Sequence, residues 1–268
     1  MIAAVVPAHQ EEYRIGRVLD SLLTITEIKN IIVILNGSNE ITRKVANKYY
    51  QNNVERITLV TFQDPLGIDV PRAVGAKLAY AAGADYTLFV DGDMVGEISC
   101  ELKILLDNTI KYDLDLALTD CYPDKKAATN LQGPLFYWRY FLNQELGLLE
   151  KIKISTPSHG PHVISHRILS NIPWEDLAVP PTLLVHAVRK NFRTGIAVAI
   201  PHIQLGSSLK NQTHSQLITE TIIGDCLEAL HMARSQPRSR HFNGKLYLGY
   251  HSQRRFDLLE QFIAGRNM

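Results

Sequence analysis

Two carboxylates, Asp91 and Asp93, stand one residue apart with Gly92 between them, directly after the apolar run 86–90. Ionised carboxylates are costly in a core unless partnered, so a pair at the end of a buried strand calls for a chemical reason. Two Asp flanking one Gly can share a hard divalent cation. Mg2+ or Mn2+ prefers oxygen ligands and keeps waters or phosphate oxygens in its remaining positions. A cation held there neutralises a diphosphate and stabilises the charge on a departing nucleoside diphosphate. Gly92 allows the tight backbone path between the two acids. The plainer alternative is a pair of turn-capping residues before a helix over 97–110.

Such a pair has to be positioned by its surroundings. The first half of the chain alternates apolar runs with amphipathic segments. Strands are predicted over 2–7, in "NIIVILNGS", in "ERITLVTF", in "DYTLFVDGD" and in "DLALTDC". Between them, Ile15, Val18, Leu19 and Leu22 share one helical face, Ser38 or Asn39 can cap a helix to about Tyr50, and 71–82 is a small-residue helix. Apolar strands alternating with helices predict an α/β fold, a mostly parallel sheet covered by helices on both faces. In such sheets ligands sit beyond the carboxyl ends of the strands, which is where Asp91 and Asp93 fall, at the edge of the expected main concavity. After Tyr122 come an aromatic amphipathic helix from Gly133, a loop-rich stretch with a short apolar run at 163–164, and a helix over 181–191. A strand in "GIAVAIP" and helices over 215–234 and 253–263 follow. This reads as one domain over 1–233 with a basic C-terminal helical extension over 234–268.

Four landmarks occur in order. Pro7, Ala8, His9, Gln10, Glu11 and Glu12 follow the first strand, and Leu19, Asp20, Ser21 and Leu22 follow on the helix. Asn36, Gly37 and Ser38 end the second strand. Arg72 and Gly75 lie in "PRAVGAKLA", and Asp91 and Asp93 end the fourth strand. Together they resemble family 2 glycosyltransferases of the GT-A fold, which often read P-x-x-N-E-E, L-x-S-L, N-G-S, A-R-N-x-G and D-x-D at these places. The resemblance implies a Rossmann-like GT-A sheet, a nucleoside-diphosphate sugar (UDP- or GDP-linked), a divalent cation (Mg2+ or Mn2+) and glycosyl transfer. It places Pro7 and Ala8 at the base through backbone groups, Glu11 near ribose or uracil, and Asn36 at the base. Arg72 would reach the diphosphate or base, Asp93 would bind the metal and serve catalysis, and Asp91 would contact ribose or the metal through water. Taken without the resemblance, Glu11 and Glu12 read as acids in a first helical turn, Asn36-Gly37 as a turn and Arg72 as a surface cation.

In the second half, "HGPHVISHRIL" resembles the acceptor-side segment of some retaining GT-A enzymes, the glucosyl-3-phosphoglycerate and mannosylglycerate synthases. Leu205, Gly206 and His214 stand where those enzymes carry L-G and then a metal-binding His; His214 is preferred to His202, and the loop 205–214 is expected to close over the diphosphate. "PWED" offers Glu175 and Asp176 as a catalytic base. The acid that the retaining relatives carry about seven residues later is absent from "VPPTLL", which leaves stereochemistry and acceptor open. His159 and His162 read either as acceptor ligands or as ordinary loop histidines.

The 268 residues are 46% hydrophobic with a net charge of +1, enough for one sizeable core. No apolar run approaches the roughly 20 residues of a membrane span, and "MIAAVVPAHQEE" lacks signal-peptide features. Cys100, Cys121 and Cys226 form no metal motif and read as buried thiols. A cytoplasmic enzyme with a small soluble acceptor is expected, with no nucleic-acid partner and a homodimer left open. From Arg234 onward seven Lys/Arg face two Asp/Glu, a local +5 against −4 before it. Arg238, Arg240, Lys245, Arg254 and Arg255 therefore suit either an anionic donor or phosphorylated acceptor, or a solvated surface. The alternatives are a sugar-phosphate nucleotidyltransferase, whose glycine-rich basic loop "PAHQEEYRIGR" does not match, and a non-catalytic nucleotide-sugar-binding relative.

Overall fold

The computed structural model describes residues 1–123, 133–207 and 211–265. Parts of the expected 205–214 loop (208–210) and of the tail (266–268) lie outside the described residues. Seven strands form one sheet in the order β3-β2-β1-β4-β6-β5-β7. They are β1 (Ile2–Ala8), β2 (Ile28–Asn36), β3 (Ile57–Phe62), β4 (Tyr86–Phe89), β5 (Leu116–Asp120), β6 (His162–Ser165) and β7 (Thr194–Ala199). The pairs β1–β2, β1–β4, β2–β3 and β5–β7 are parallel. The short run at 163–164 becomes β6, antiparallel to both β4 and β5. Four residues carry too little pattern to announce a strand direction, which is why the sequence shows only an apolar run there.

The strands alternate their side chains between two apolar layers. Ile2, Ala4, Val6 and Ala8 of β1 face a core with the helices α1 (Ile15–Leu23), α2 (Glu40–Asn52) and α4 (Ser99–Lys111). Ala3 and Val5 face the other core, with α3 (Val70–Ala81) and the helices Pro134–Glu145, Thr182–Arg189, Gln212–Ala233 and Phe256–Ile263. The four apolar residues expected on α1 are the four that are buried. Asn39 caps α2 by accepting from the Thr42 amide. Of the three cysteines, Cys121 and Cys226 are buried but Cys100 is exposed, which corrects the expectation of three buried thiols. Burial pushes Cys121 and Cys226 up to about 12, so neither is a ready nucleophile.

Beyond Ala233 the chain makes a small hairpin (His241–Phe242 with Lys245–Leu246) and then the Phe256–Ile263 helix, whose Leu259 is buried in the core. Among the described residues no helix is long and apolar enough to cross a membrane.

Candidate active site

β1 runs between β2 and β4, so the chain leaves it in opposite directions on either side, and a crevice forms at the carboxyl ends. The backbone continues β4 past its last residue by donating Val90 N to Val5 O (3.1 Å) and Gly92 N to Pro7 O (3.0 Å). A Cβ at position 92 would lie 2.8 Å from the Pro7 carbonyl oxygen. Glycine is therefore required for the turn that carries Asp91 and Asp93 alongside β1.

Asp91 accepts from Arg72 Nη2 with both oxygens, at 2.6 and 2.8 Å. Arg72 sits in the first turn of α3, and its Nη1 reaches Asp69 at 2.9 Å. Burial opposes the guanidinium charge, but Asp91 and Asp69 outweigh it and hold Arg72 above its usual value. Asp93 adds to that pull and also acts on Arg14. Arg14 donates to the buried Glu11 at 2.8 Å. Glu11, Arg14, Arg72, Asp91 and Asp93 thus share one charged patch built from three strand ends. Arg14 was not singled out in the sequence, although its i,i+3 spacing from Glu11 was the available signal.

The first two turns are stitched together. His9 Nδ1 lies 2.6 Å from Asn36 O, Ser38 Oγ donates to Ala8 O at 3.0 Å, and Glu12 accepts from Asn39 and Thr42 at 3.2 Å each. Asn36 spends its side chain on the 66–67 backbone: Oδ1 accepts from Leu66 N at 2.6 Å and Nδ2 donates to Gly67 O at 3.1 Å. Its amide holds the 66–67 backbone against the end of β2.

The Leu205–Gly206 segment lies backbone to backbone against the carboxylate turn. Gly96 N donates to Leu205 O at 3.0 Å, and a Cβ on Gly96 would fall 1.8 Å from Gln204 O. Ser207 Oγ stands 3.5 Å from Asp93 Oδ1. His214, in the first turn of the Gln212–Ala233 helix, has its Nδ1 2.8 Å from the Tyr250 hydroxyl. The ligating atoms of Asp91, Asp93 and His214 are not gathered within 4.8 Å of one another. The trio that is, among the described residues, is Asp225, Glu228 and His251. There Arg240 Nη1 lies 2.7 Å from both carboxylates, so a guanidinium fills the position a cation would take. For a divalent cation at the carboxylate turn, the donor set fits at Asp93, a hard oxygen ligand. Asp91, with both oxygens on Arg72, suits a ribose hydroxyl or a cation's water.

His162 stacks on Phe89 at 4.8 Å and is buried beside Arg72 and Asp91. Burial, then Arg72, pushes it down to about 3, so it is neutral at physiological pH. His202 is exposed, with Nδ1 3.0 Å from His159 Nε2.

The two acids of "PWED" differ in surroundings. Asp176 is buried and accepts from Arg238 at 2.5 Å while lying 2.6 Å from His186 Nε2. Burial alone would raise it, but these partners hold it below its usual value. Glu175 is exposed. Their neighbour Trp174 packs on Lys77 and Tyr80, and Tyr80 is about 12 Å along α3 from Arg72. The tail arginines also divide. Arg240 and Arg254 are buried and paired to Asp225, Glu228 and Asp69, while Arg238 is paired to Asp176 and remains exposed. A concavity of about 590 Å3, lined by Met1, Asp85, Tyr86, Asp113 and His166 among others, lies at the amino-terminal edge of β1 and β4, away from Asp91 and Asp93.

The model of glycosyl transferase family 2 matches residues 3–172. No curated protein matches the chain. Among solved structures, glucosyl-3-phosphoglycerate synthase from Mycobacterium tuberculosis, in complex with Mn2+, UDP and phosphoglyceric acid, is 18% identical with a TM-score of 0.62, over 90% of this chain and 80% of that one. A structure described only as a mycobacterial protein is 19% identical with a TM-score of 0.63, over 90% and 76%. At these identities the likeness bears on the fold, which is GT-A-like.

Proposed function

The chain belongs to glycosyl transferase family 2, and from that premise we propose that it moves a sugar from a nucleoside-diphosphate sugar to a small acidic acceptor. The observation that carries this reading is the Arg72–Asp91 pair beside Asp93 at the carboxyl ends of β1 and β4. A guanidinium held charged by two carboxylates places positive charge beside Asp93, where a diphosphate would meet it. Glu11 and Asp91 are acceptors for ribose hydroxyls, and the Asn36-held wall and the Pro7–Ala8 backbone flank the base. Asp93 is assigned to a divalent cation, with His214 as the candidate second ligand, its ring oriented by Tyr250. The cation, when bound, supplies positive charge to the departing diphosphate. A cytoplasmic location fits a soluble donor and acceptor.

A donor screen with Mn2+ that measures nucleoside diphosphate release tests the reading. Release from a UDP- or GDP-sugar, lost in Asp93→Asn, is expected. No release and no nucleotide binding from any donor overturns it.

A further inference from the structure

Arg139 is a guanidinium for which the donor site has no use. It lies on the inner face of the Pro134–Glu145 helix at 1% exposure. The groups acting on its charge are Tyr122 and the Cys121 and Cys226 thiols, with no carboxylate among them. Its Nε has no hydrogen-bond partner. Among the described residues no carboxylate pairs with it; a buried cation without an anion is costly to keep, and strongly perturbed groups cluster at functional sites.

Three more buried polar atoms have no partner: Asn143 Oδ1, one turn further along the helix, and Thr156 Oγ1 and Ser158 Oγ on a following segment. Asn143 Nδ2 donates to the carbonyls of Lys153 and Ser155 at 2.7 and 3.0 Å, which draws this segment onto the helix. His159, whose amide bonds Thr156 O at 3.1 Å, feels the Arg139 charge. Four of the six such atoms among the described residues therefore fall in one place, so the deficit is local. Waters could serve the hydroxyls, but they do not answer the charge.

The place borders the carboxylate turn. His202 N donates to Cys121 O at 3.0 Å, and the 3-10 turn His202–Leu205 ends at the Leu205–Gly96 contact. Tyr122, whose hydroxyl is a side-chain hydrogen-bond partner of Arg139, stacks on His159 and His202, with ring centres 5.3 and 6.1 Å apart. Burial, then the Arg139 charge, holds both imidazoles below their usual value. They are neutral at physiological pH and do not compete for an anion.

We propose that Arg139, with the Thr156 and Ser158 hydroxyls, is an oxyanion subsite that receives the phosphate or carboxylate of the acceptor. The unpartnered Asn143 Oδ1 is an acceptor and suits a hydroxyl of the same molecule. The inference rests on the transferase reading above, since it is the acceptor side of that site it describes.

The test uses the full chain saturated with UDP and Mn2+, titrated with inorganic phosphate or, in a second arm, acetate. Saturable binding of one of them identifies the oxyanion. Arg139→Met should weaken it about tenfold or more, the worth of charge-assisted hydrogen bonds. The same variant should keep UDP affinity and melt no lower than wild type, because an apolar chain replaces an unpaired charge. Three results overturn the proposal: no binding of either anion to wild type, competition between the anion and UDP, or anion affinity unchanged in Arg139→Met. Should that variant not fold, Thr156→Val is read instead, with about threefold weaker binding expected and unchanged affinity overturning the claim. Failure of the transferase reading would show separately, as wild type that binds neither UDP nor GDP.

Discussion

The Arg254 guanidinium donates to the Asp69 carboxylate at 2.9 Å, joining positions 185 apart in the chain. Two further bonds go to Asp225 at 2.6 and 2.8 Å. Asp69 in turn holds Arg72, and Arg72 holds Asp91. Charges of alternating sign thus run from the tail to the carboxylate pair. The backbone follows the same route: Arg255 N donates to Leu66 O at 2.9 Å, and a Cβ on Gly67 would fall 2.2 Å from Gln253 O.

Arg254 therefore acts on nucleotide through Asp69 and Arg72, as a positioning residue. Arg254→Met leaves the buried Asp225 and the half-buried Asp69 short of a partner, a loss of about 3 kcal/mol. UDP affinity should fall at temperatures where the variant is folded, and Arg254→Lys, lacking the planar fork, should recover only part of it. Unchanged UDP affinity in folded Arg254→Met would disconnect the tail from the site.

Asn36 and Glu11 are the two side chains assigned above to the base and ribose of the nucleotide. Asn36→Ala orphans Leu66 N and Gly67 O, worth about 1–3 kcal/mol of stability, and loosens the loop that carries Asp69. Glu11→Ala removes the partner of Arg14. The double variant should bind nucleotide more weakly than either single one. Wild-type affinity in the double variant would exclude both from the nucleotide site.

Glu175 and Asp176 separate structure from chemistry. Glu175→Gln should turn over like wild type. Asp176→Asn should lose stability through its broken pairs with Arg238 and His186. Asp176 and Asp225 are both held below their usual value in the folded state, where arginine and histidine partners outweigh burial. Their stabilisation is therefore complete above the unfolded carboxylate value of about 3.9 and lost as pH falls through the lower folded values. Urea unfolding against pH should show a plateau at neutral pH and an acid limb below about pH 4, shallower in Asp176→Asn. An unchanged limb would mean that Asp176 does not carry it.

How much could be read from the sequence follows from what each feature depends on. The parallel strands, the α1 face and the Asp91–Asp93 turn rest on local pattern, and all were readable. The antiparallel β6, the Arg254–Asp69 bond and the Arg139 locality rest on contacts between distant segments, and no local pattern encodes them. Gln10 lies between. The family's usual Asn at this place is explained by the backbone, since φ is +51° here, a left-handed conformation that Asn tolerates better than Gln. Gln10→Asn should raise stability by about 0.5 kcal/mol, a fraction of the left-handed penalty, read from the urea midpoint. A lower midpoint would mean that the Gln side chain has a compensating role.

The cation assignment has the most separable consequences. Asp93 supplies a hard oxygen at the turn, so Asp93→Asn should abolish the gain in UDP affinity that Mn2+ gives while leaving UDP binding without metal near wild type. His214 is held through Nδ1 by the Tyr250 hydroxyl at 2.8 Å, the kind of outer partner that fixes a ligand's ring and is worth roughly 10–100-fold in metal affinity. His214→Ala should therefore weaken Mn2+ binding more than it weakens UDP binding without metal. Tyr250→Phe should weaken Mn2+ in the same direction, by releasing the ring without removing it. Calorimetric titration of Mn2+ into the UDP complex reads all three variants. Wild-type Mn2+ affinity in His214→Ala would remove His214 from the coordination shell and leave Asp93 to act with the nucleotide's own phosphate oxygens. Wild-type Mn2+ affinity in Asp93→Asn would remove the cation from this turn altogether, and Arg72 would then be the charge that the diphosphate meets.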